Sequence, residues 1–184
     1  IHAAGGTCLV VGDELYFYYG AWAGISPNLQ GNMFGSHRQA NAMYAGGSTG
    51  LATIRRDGFA SMDAGNAGSV LTTKLLTFSG RYFFVNCDSA SGSLRVEILN
   101  ENGNIIQPFS ADKCFVVRSD STKKVIKWSE SNDLASLQGT SVRFRFHAVN
   151  TNLYSFWVSQ TPKGESNGYL SAGGPGFESI IDCI

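Results

Sequence analysis

Short stretches of alternating apolar and polar residues dominate the chain, and this two-residue period is typical of β-strands with one buried face. In SLRVEILNENGN, Leu94, Val96 and Ile98 form the predicted buried face. Arg95 and Glu97 alternate with them and are predicted to face solvent. The stretch ends in Asn-Gly, a dipeptide preferred in tight turns, so a strand followed by a turn is predicted.

The same pattern recurs in SVRFRFHAV, where Val142, Phe144 and Phe146 are predicted to face inward and Arg143 and Arg145 outward. RYFFVNCD and NLYSFWVS are apolar on both faces, which favours central strands of a sheet. KKVIKW is predicted to be an edge or half-buried strand with its lysines in water. A helical turn is predicted only for SNDLASLQG.

A Gly-Asp turn within CLVVGDELYFYYG predicts a two-residue hairpin near the start of the chain. Residues that face each other across such a turn share one face of the ribbon. The apolar face predicted in this way consists of Cys8, Val10, Leu15 and Phe17.

The segment STGLATIRRDGFASMD predicts a second hairpin, folded about Asp57-Gly58. Arg55 and Arg56 are consecutive, so in an extended ribbon they point to opposite faces and do not form one basic patch. We therefore interpret this hairpin as structural, with at most one arginine available to a ligand.

The distribution of turn residues predicts the domain organisation. Residues 1–64 are predicted to form hairpins joined by a long Gly/Asn/Ser-rich loop, 21–50, and loops of this length in compact domains are often functional. The stretch AGNAG separates them from residues 69–160, whose closely spaced strands are typical of a sandwich. Residues 161–184 are predicted to be an irregular tail. The predicted fold class is therefore all-β, with an antiparallel β-sandwich preceded by hairpins.

The net charge and the short apolar runs argue against a nucleic acid or a membrane as a partner. Lysine plus arginine and aspartate plus glutamate both number 14, so the formal net charge is zero and neither nucleic acid nor an anionic membrane is predicted as a partner. No apolar run approaches the roughly 20 residues that span a bilayer.

The chain begins with Ile1 and shows no signal peptide, so we interpret it as a processed product or, preferably, a fragment of a longer protein.

The four cysteines are too few and too widely spaced for a disulfide scaffold, and no C-x-x-C pair indicates a zinc site. One or two disulfide bridges and buried free thiols remain open alternatives. An even cysteine count is compatible with export, so a secreted or periplasmic location is predicted.

No complete catalytic centre is evident in the sequence. Glycoside hydrolysis usually needs two carboxylates about 5–10 Å apart, whereas the acidic residues here lie mostly in predicted turns or, like Glu97, on a predicted solvent face. GGSTG matches a serine nucleophile motif but lacks the strand before it and the helix after it. His147 is interpreted as a hydrogen-bonded structural residue. Catalytic residues are therefore unknown, and no metal or cofactor is predicted.

Sugar binding is the one chemistry that the long loop suggests. It requires aromatic rings that stack on a sugar, together with polar groups for its hydroxyls. The alternative is a solvated loop anchored by a few aromatic residues. The candidate carbohydrate-binding residues are Trp22, Asn28, Gln30, Asn32, His37, Arg38, Gln39 and Tyr44.

Five segments together resemble the C-terminal part of bacterial glycoside-hydrolase-like proteins similar to the invertase and arabinanase group. They are CLVVGDELYFYYG, STGLATIRRDGFASMDAG, LRVEILNENGNIIQPFSADKC, VRFRFHAVNTNLYSFWVS and NGYLSAGGPGF, in this order. The resemblance implies that residues 1–64 are similar to the last blade of a five-bladed β-propeller. It also implies that residues 69–160 resemble the jelly-roll-like sandwich that follows it, while catalytic acids lie mostly in blades absent from this chain.

The prediction is thus a non-catalytic C-terminal segment of a carbohydrate-active protein, which supports or extends a propeller catalytic domain. One alternative is a stand-alone carbohydrate-binding sandwich without catalysis, and another is a purely structural or interaction domain. Besides a carbohydrate, a second copy of the chain is a predicted partner, because exposed strand edges favour self-association.

Overall fold

The computed structural model describes residues 1–22 and 46–183, and this part of the chain is all-β. The chain divides into two compact units. Ile1–Ile54 with Leu170–Ile180 form the first, here called the N-terminal unit. Arg55–Tyr169 with Ile181–Ile184 form the second, here called the sandwich unit.

The sheet of the N-terminal unit is organised around one long strand. Strand β3 pairs with each of the other strands of the sheet. The strands are β1 (His2–Ala3), β2 (Leu9–Val11), β3 (Glu14–Trp22) and β4 (Gly47–Arg55).

The hairpin predicted near the start of the chain is confirmed. Strands β2 and β3 are antiparallel, and Val11 pairs with Glu14 across the two-residue turn. Val10 and Leu15 are opposite each other and buried. Cys8 and Phe17 pack against the same small apolar cluster, so the four residues predicted to share a face do so.

Two antiparallel sheets form the sandwich unit. Their strands follow the order β6-β10-β8 in the first sheet and β5-β11-β7-β9 in the second. The strands are β5 (Met62–Ala64), β6 (Ser69–Thr72), β7 (Tyr82–Asp88), β8 (Ser93–Leu99), β9 (Asp120–Val125), β10 (Arg143–Val149) and β11 (Thr151–Ser159).

These strands agree with the apolar pattern. The two stretches that are apolar on both faces are β7 and β11, the central strands of their sheet, while the lysine-bearing β9 lies at its edge. The predicted helical turn is the short 3-10 segment Ala135–Leu137, where Asp133 Oδ1 accepts a hydrogen bond of 3.0 Å from the Ala135 N–H.

Aromatic rings from both sheets meet in the core of the sandwich. Phe83 of β7 lies 4.5 Å from Phe144 of β10, measured between ring centroids, and 5.9 Å from Phe156 of β11. Trp128 is also buried, and its Nε1 donates a hydrogen bond of 3.1 Å to the Val96 carbonyl, which satisfies the indole N–H inside the core. Burial of these large apolar surfaces is the main force that holds two sheets together.

The prediction of a hairpin about Asp57-Gly58 is wrong. A turn is present, with the Gly58 N–H 2.9 Å from the Arg55 carbonyl, but β4 pairs with β3 and β5 pairs with β11. Of the two central turn residues only the second, Asp57, has a positive φ, of 53°. Favoured two-residue hairpins need positive φ at the first central residue, so this turn splays the flanking segments.

Candidate functional site

Only one of the eight candidate sugar-binding residues falls in the described part of the chain. Trp22 ends β3, is 38% exposed and makes an edge contact with the ring of His2 at 5.3 Å. The other candidates lie outside the described residues, and they are Asn28, Gln30, Asn32, His37, Arg38, Gln39 and Tyr44.

The first arginine of the predicted hairpin is bound within the sandwich unit. Arg55 Nε donates to Asn86 Oδ1 at 2.5 Å, and its Nη1 forms a salt bridge with Asp120. Its Nη2 donates to the Cys87 carbonyl at 3.2 Å, and the guanidinium lies 4.8 Å from the ring centroid of Tyr154. These contacts make Arg55 a structural residue, as the sequence predicted for the turn.

The second arginine borders a narrow cleft of the same unit. Arg56 Nη2 lies 3.1 Å from Asp182 Oδ2, and Ser166 donates to the same carboxylate oxygen from both its backbone N–H and its hydroxyl. The cleft has a volume of about 30 Å³, room for a water molecule and not for a sugar ring. Its lining residues are Arg56, Asp57, Thr122, Lys123, Trp157, Gly164, Ser166 and Asp182.

The tryptophan of this cleft is already engaged by the fold. Trp157 Nε1 donates a hydrogen bond of 3.0 Å to the Gly164 carbonyl. Its ring stacks on Phe84 with 5.6 Å between centroids and 14° between planes. The small volume and these contacts favour a structural role for the cleft.

A wider groove lies on the other sheet of the sandwich unit. It is open to solvent and has a volume of about 420 Å³, within the range of small-molecule sites. It is formed mainly by the outer face of β6, β8 and β10. Its lining residues are Ala67, Gly68, Ser69, Val70, Ser93, Arg95, His147, Ala148 and Val149.

The strand register explains why polar residues gather beside this groove. His147 of β10 is opposite Val70 of β6 on one side and Arg95 of β8 on the other. Side chains alternate between the two faces of a sheet, so these residues share the outer face while Phe146 points into the core.

The predicted exposure of Glu97 is wrong, because only 5% of this residue is accessible. Its Oε1 lies 3.1 Å from Arg145 Nη1 and 3.0 Å from His147 Nε2, and its Oε2 accepts a 3.4 Å hydrogen bond from the Ala111 N–H. Alternation alone places Glu97 on the outer face, but the segment that contains Ala111 covers it there. A buried carboxylate needs such partners.

His147 is close to Glu97 without forming a regular hydrogen bond. Its Nε2 is buried and has no hydrogen-bond partner within the described residues, although Glu97 Oε1 lies 3.0 Å away. His147 lies within ion-pair distance of a buried carboxylate and also lines the groove, so its interpretation as a structural residue stays a prediction.

The buried acidic residues of the described chain are engaged in hydrogen bonds or ion pairs. Glu97 pairs with Arg145 and Asp182 with Arg56. Glu165 accepts a hydrogen bond from the Thr161 hydroxyl, and this bond is the main cause of its lowered pKa. A general acid in glycoside hydrolysis needs a raised pKa, so Glu165 is unsuited to that role.

All four cysteines lie in the described residues, and all four are free thiols. Cys87 and Cys114 are buried, and desolvation raises the pKa of both thiols, which makes them poor nucleophiles at neutral pH. The alternative of buried free thiols is therefore correct for this pair, and no disulfide bridge is formed.

The described residues offer neither a cluster of metal ligands nor a membrane-spanning helix. Residues 1–22 and 46–183 contain no group of three or more His, Cys, Asp or Glu side chains placed to hold a metal ion. In the same part of the chain, no helix is long and apolar enough to cross a membrane.

No protein-family model, no curated protein and no solved structure matches this chain. The resemblance to glycoside-hydrolase-like proteins therefore stays a prediction that rests on the five segments quoted above.

The groove residues were missed by the sequence interpretation, although a signal for them was present. RVE in β8 and RFRFH in β10 both carry charged residues at every second position. This pattern places Arg95 and His147 on outer faces, but it does not show that the two strands are neighbours.

Proposed function

We propose that this chain is the non-catalytic segment of a carbohydrate-active, glycoside-hydrolase-like protein, in which the sandwich supports a propeller catalytic domain. The five resembling segments support the carbohydrate part of this proposal. One structural observation carries the non-catalytic part, namely that the buried carboxylates of the described residues are held by partners within the fold. Glu97 is held by Arg145 and Asp182 by Arg56.

Catalysis by retaining or inverting hydrolases needs two accessible carboxylates with different protonation states on either side of the scissile bond. A buried carboxylate that pairs with a partly exposed arginine cannot change its protonation state without breaking that ion pair. The buried acids of this chain therefore stabilise the sandwich and do not form a catalytic pair.

An activity assay tests this proposal directly. The whole chain, incubated with a panel of aryl glycosides and polysaccharides, is expected to hydrolyse none of them. Hydrolysis that co-purifies with the chain and is lost in Glu97→Gln or Asp182→Asn would overturn the proposal. The coding sequence upstream provides an independent test, because it should contain further blade-like repeats, and their absence would reject the supporting role.

A second candidate function is a stand-alone carbohydrate-binding module, and the open groove of about 420 Å³ favours it. On a glycan array, Arg95→Gln is expected to weaken binding if the groove holds the sugar, and Trp22→Ala and Tyr44→Ala are expected to weaken it if the predicted loop site does. Phe115→Ala is the matched control, because it removes another exposed aromatic ring from a different part of the chain. An array that shows no binding by the intact chain would reject this function.

A further inference from the structure

The groove on the outer face of β6, β8 and β10 contains an arginine with hydrogen-bonding capacity to spare. Arg95 Nη1 donates one hydrogen bond, of 3.1 Å, to the Ala111 carbonyl. A guanidinium has five N–H donors arranged as a fork that fits the oxygens of carboxylate, sulfate or phosphate. Within residues 1–22 and 46–183, Arg95 forms no salt bridge with a carboxylate.

The neighbouring carboxylate does not cancel this positive charge. Glu97 is the acidic residue of the same strand, but it is paired with Arg145 at 3.1 Å and almost completely buried. Arg145 is further held by a 3.3 Å hydrogen bond from its Nε to Thr72 Oγ1. Because Arg145 neutralises Glu97, the charge of Arg95 remains available to a ligand in the groove.

The other lining groups complete a mixed polar and apolar surface. His147 is opposite Arg95 in the register, and the hydroxyl-bearing residues Ser69 and Ser93 belong to the same lining. Val70 and Val149 also line the groove and are 60% and 38% exposed. Exposed apolar groups beside a few convergent polar groups are typical of ligand sites.

We propose that this groove binds a small anionic ligand whose oxyanion accepts hydrogen bonds from Arg95 and lies beside His147. The hydroxyl of Ser93, which alternates onto the same face of the sheet as Arg95, contacts a polar substituent of the ligand, and the apolar surface of the ligand covers Val70 and Val149. The shared chemistry is a carboxylate, sulfate or phosphate group. It is carried either by an acidic saccharide or by a free inorganic anion. This site does not depend on the proposed function.

Titration of the whole chain followed by NMR and calorimetry tests the site with three probes. They are a disaccharide of galacturonic acid, the corresponding neutral galactose disaccharide and inorganic phosphate. The uronate is expected to bind about tenfold more tightly than the neutral sugar, because a hydrogen bond to a charged group is lost in the latter. Binding of phosphate alone assigns the site to a free inorganic anion. No binding of either anion, or equal binding of both sugars, would overturn the proposal.

Two arginine variants locate the binding. Arg143 is the matched control, because it extends from the same sheet and donates to one backbone carbonyl, that of Thr73 at 3.0 Å, but does not line the groove. Arg95→Gln is expected to weaken anion binding about tenfold or more, and Arg143→Gln by less than about twofold. Equal losses in the two variants, or no loss in Arg95→Gln, would contradict the assignment.

A third variant covers the case in which Arg95→Gln does not fold. Val70 is opposite His147 on the outer face, lines the groove and is 60% exposed, so Val70→Glu adds a negative charge beside Arg95 without disturbing the core. This variant is expected to weaken anion binding about tenfold by charge repulsion while the unfolding midpoint stays unchanged. Unchanged binding in Val70→Glu would also overturn the proposal.

Discussion

Arg56 Nη2 lies 3.1 Å from Asp182 Oδ2, which joins two residues that are 126 positions apart in the sequence. Arg56 stands near the start of the sandwich unit and Asp182 near its end. Both side chains are mostly removed from water, with 19% and 7% of their surface exposed. Since Coulomb attraction is stronger where water is excluded, this pair holds together the two ends of the unit.

Removing the arginine of this pair is expected to destabilise the protein. In Arg56→Gln the buried carboxylate of Asp182 loses its cation, so the free energy of unfolding should fall by about 2–4 kcal/mol. Urea unfolding measures this difference. Lys113→Gln is the control, because it breaks the solvent-exposed pair with Glu130 and should have little effect. Similar losses in both variants would contradict the assigned role of the Arg56–Asp182 pair.

The aromatic core predicts a contrast between two phenylalanines. Phe83 is 1% exposed and contacts rings from both sheets, so Phe83→Ala should lower the free energy of unfolding by about 3–5 kcal/mol. Phe115 is 59% exposed, and Phe115→Ala should change the free energy of unfolding by no more than about 0.5 kcal/mol. Denaturant titrations of the two variants make the comparison. If Phe83→Ala left the free energy of unfolding unchanged, the two sheets would not pack through this ring.

The bend between β7 and β8 requires a glycine at position 92. A Cβ on Gly92 would lie 1.9 Å from the Val149 carbonyl oxygen, whereas a Cβ on Gly65 would meet nothing within 4 Å. Gly92→Ala should therefore lower the melting temperature by several degrees, because the backbone at Gly92 or Val149 must move to make room for the Cβ. Gly65→Ala should be neutral or stabilise the protein by about 0.4–1 kcal/mol. Thermal unfolding of both variants tests this, and an unchanged melting temperature for Gly92→Ala would exclude the close approach.

The free thiols predict an order of chemical modification. Cys183 is exposed, so iodoacetamide should alkylate it in the folded protein at neutral pH. Cys87 and Cys114 should react only after unfolding, because they are buried and burial raises the pKa of both thiols. Mass spectrometry of digested samples identifies the labelled residues. Labelling of Cys114 in the native state at the rate of Cys183 would contradict the buried position.

The same two thiols predict the direction of a pH effect on stability. Their pKa values are raised in the folded state, so the unfolded chain loses these protons first as pH increases. The stabilisation from burying neutral thiols is complete below the ordinary thiol pKa and is lost as pH rises through the raised folded values. In urea titrations between pH 7 and pH 10, Cys87→Ala should therefore show a smaller alkaline loss of stability than the wild type.

Local patterns were sufficient for the interior of the sandwich. Alternation predicted Leu94 and Phe144 as core residues, and stretches that are apolar on both faces predicted the central strands β7 and β11. These predictions are confirmed because burial of apolar surface dominates folding and acts on every strand in the same way. The two-residue turn between β2 and β3 is confirmed for a local reason, since its register depends on neighbouring residues alone.

Predictions that depended on distant partners were less successful. The hairpin at Asp57-Gly58 is wrong because β5 pairs with β11, about ninety positions away. Glu97 was predicted to face solvent, and it is buried because Arg145, His147 and the segment at Ala111 converge on it. The candidate loop residues other than Trp22 lie outside the described part of the chain, so that site stays a prediction.

The sequence by itself determined the all-β class, the buried faces of β8 and β10 and the two-residue turn between β2 and β3. Strand period and turn chemistry are local properties, which is why they could be read directly from the order of residues. Only the tertiary structure decided that Arg56 binds Asp182 and that Arg95 and His147 line one groove. Such pairings depend on which strands become neighbours, and long-range burial of apolar surface selects them without a local signal.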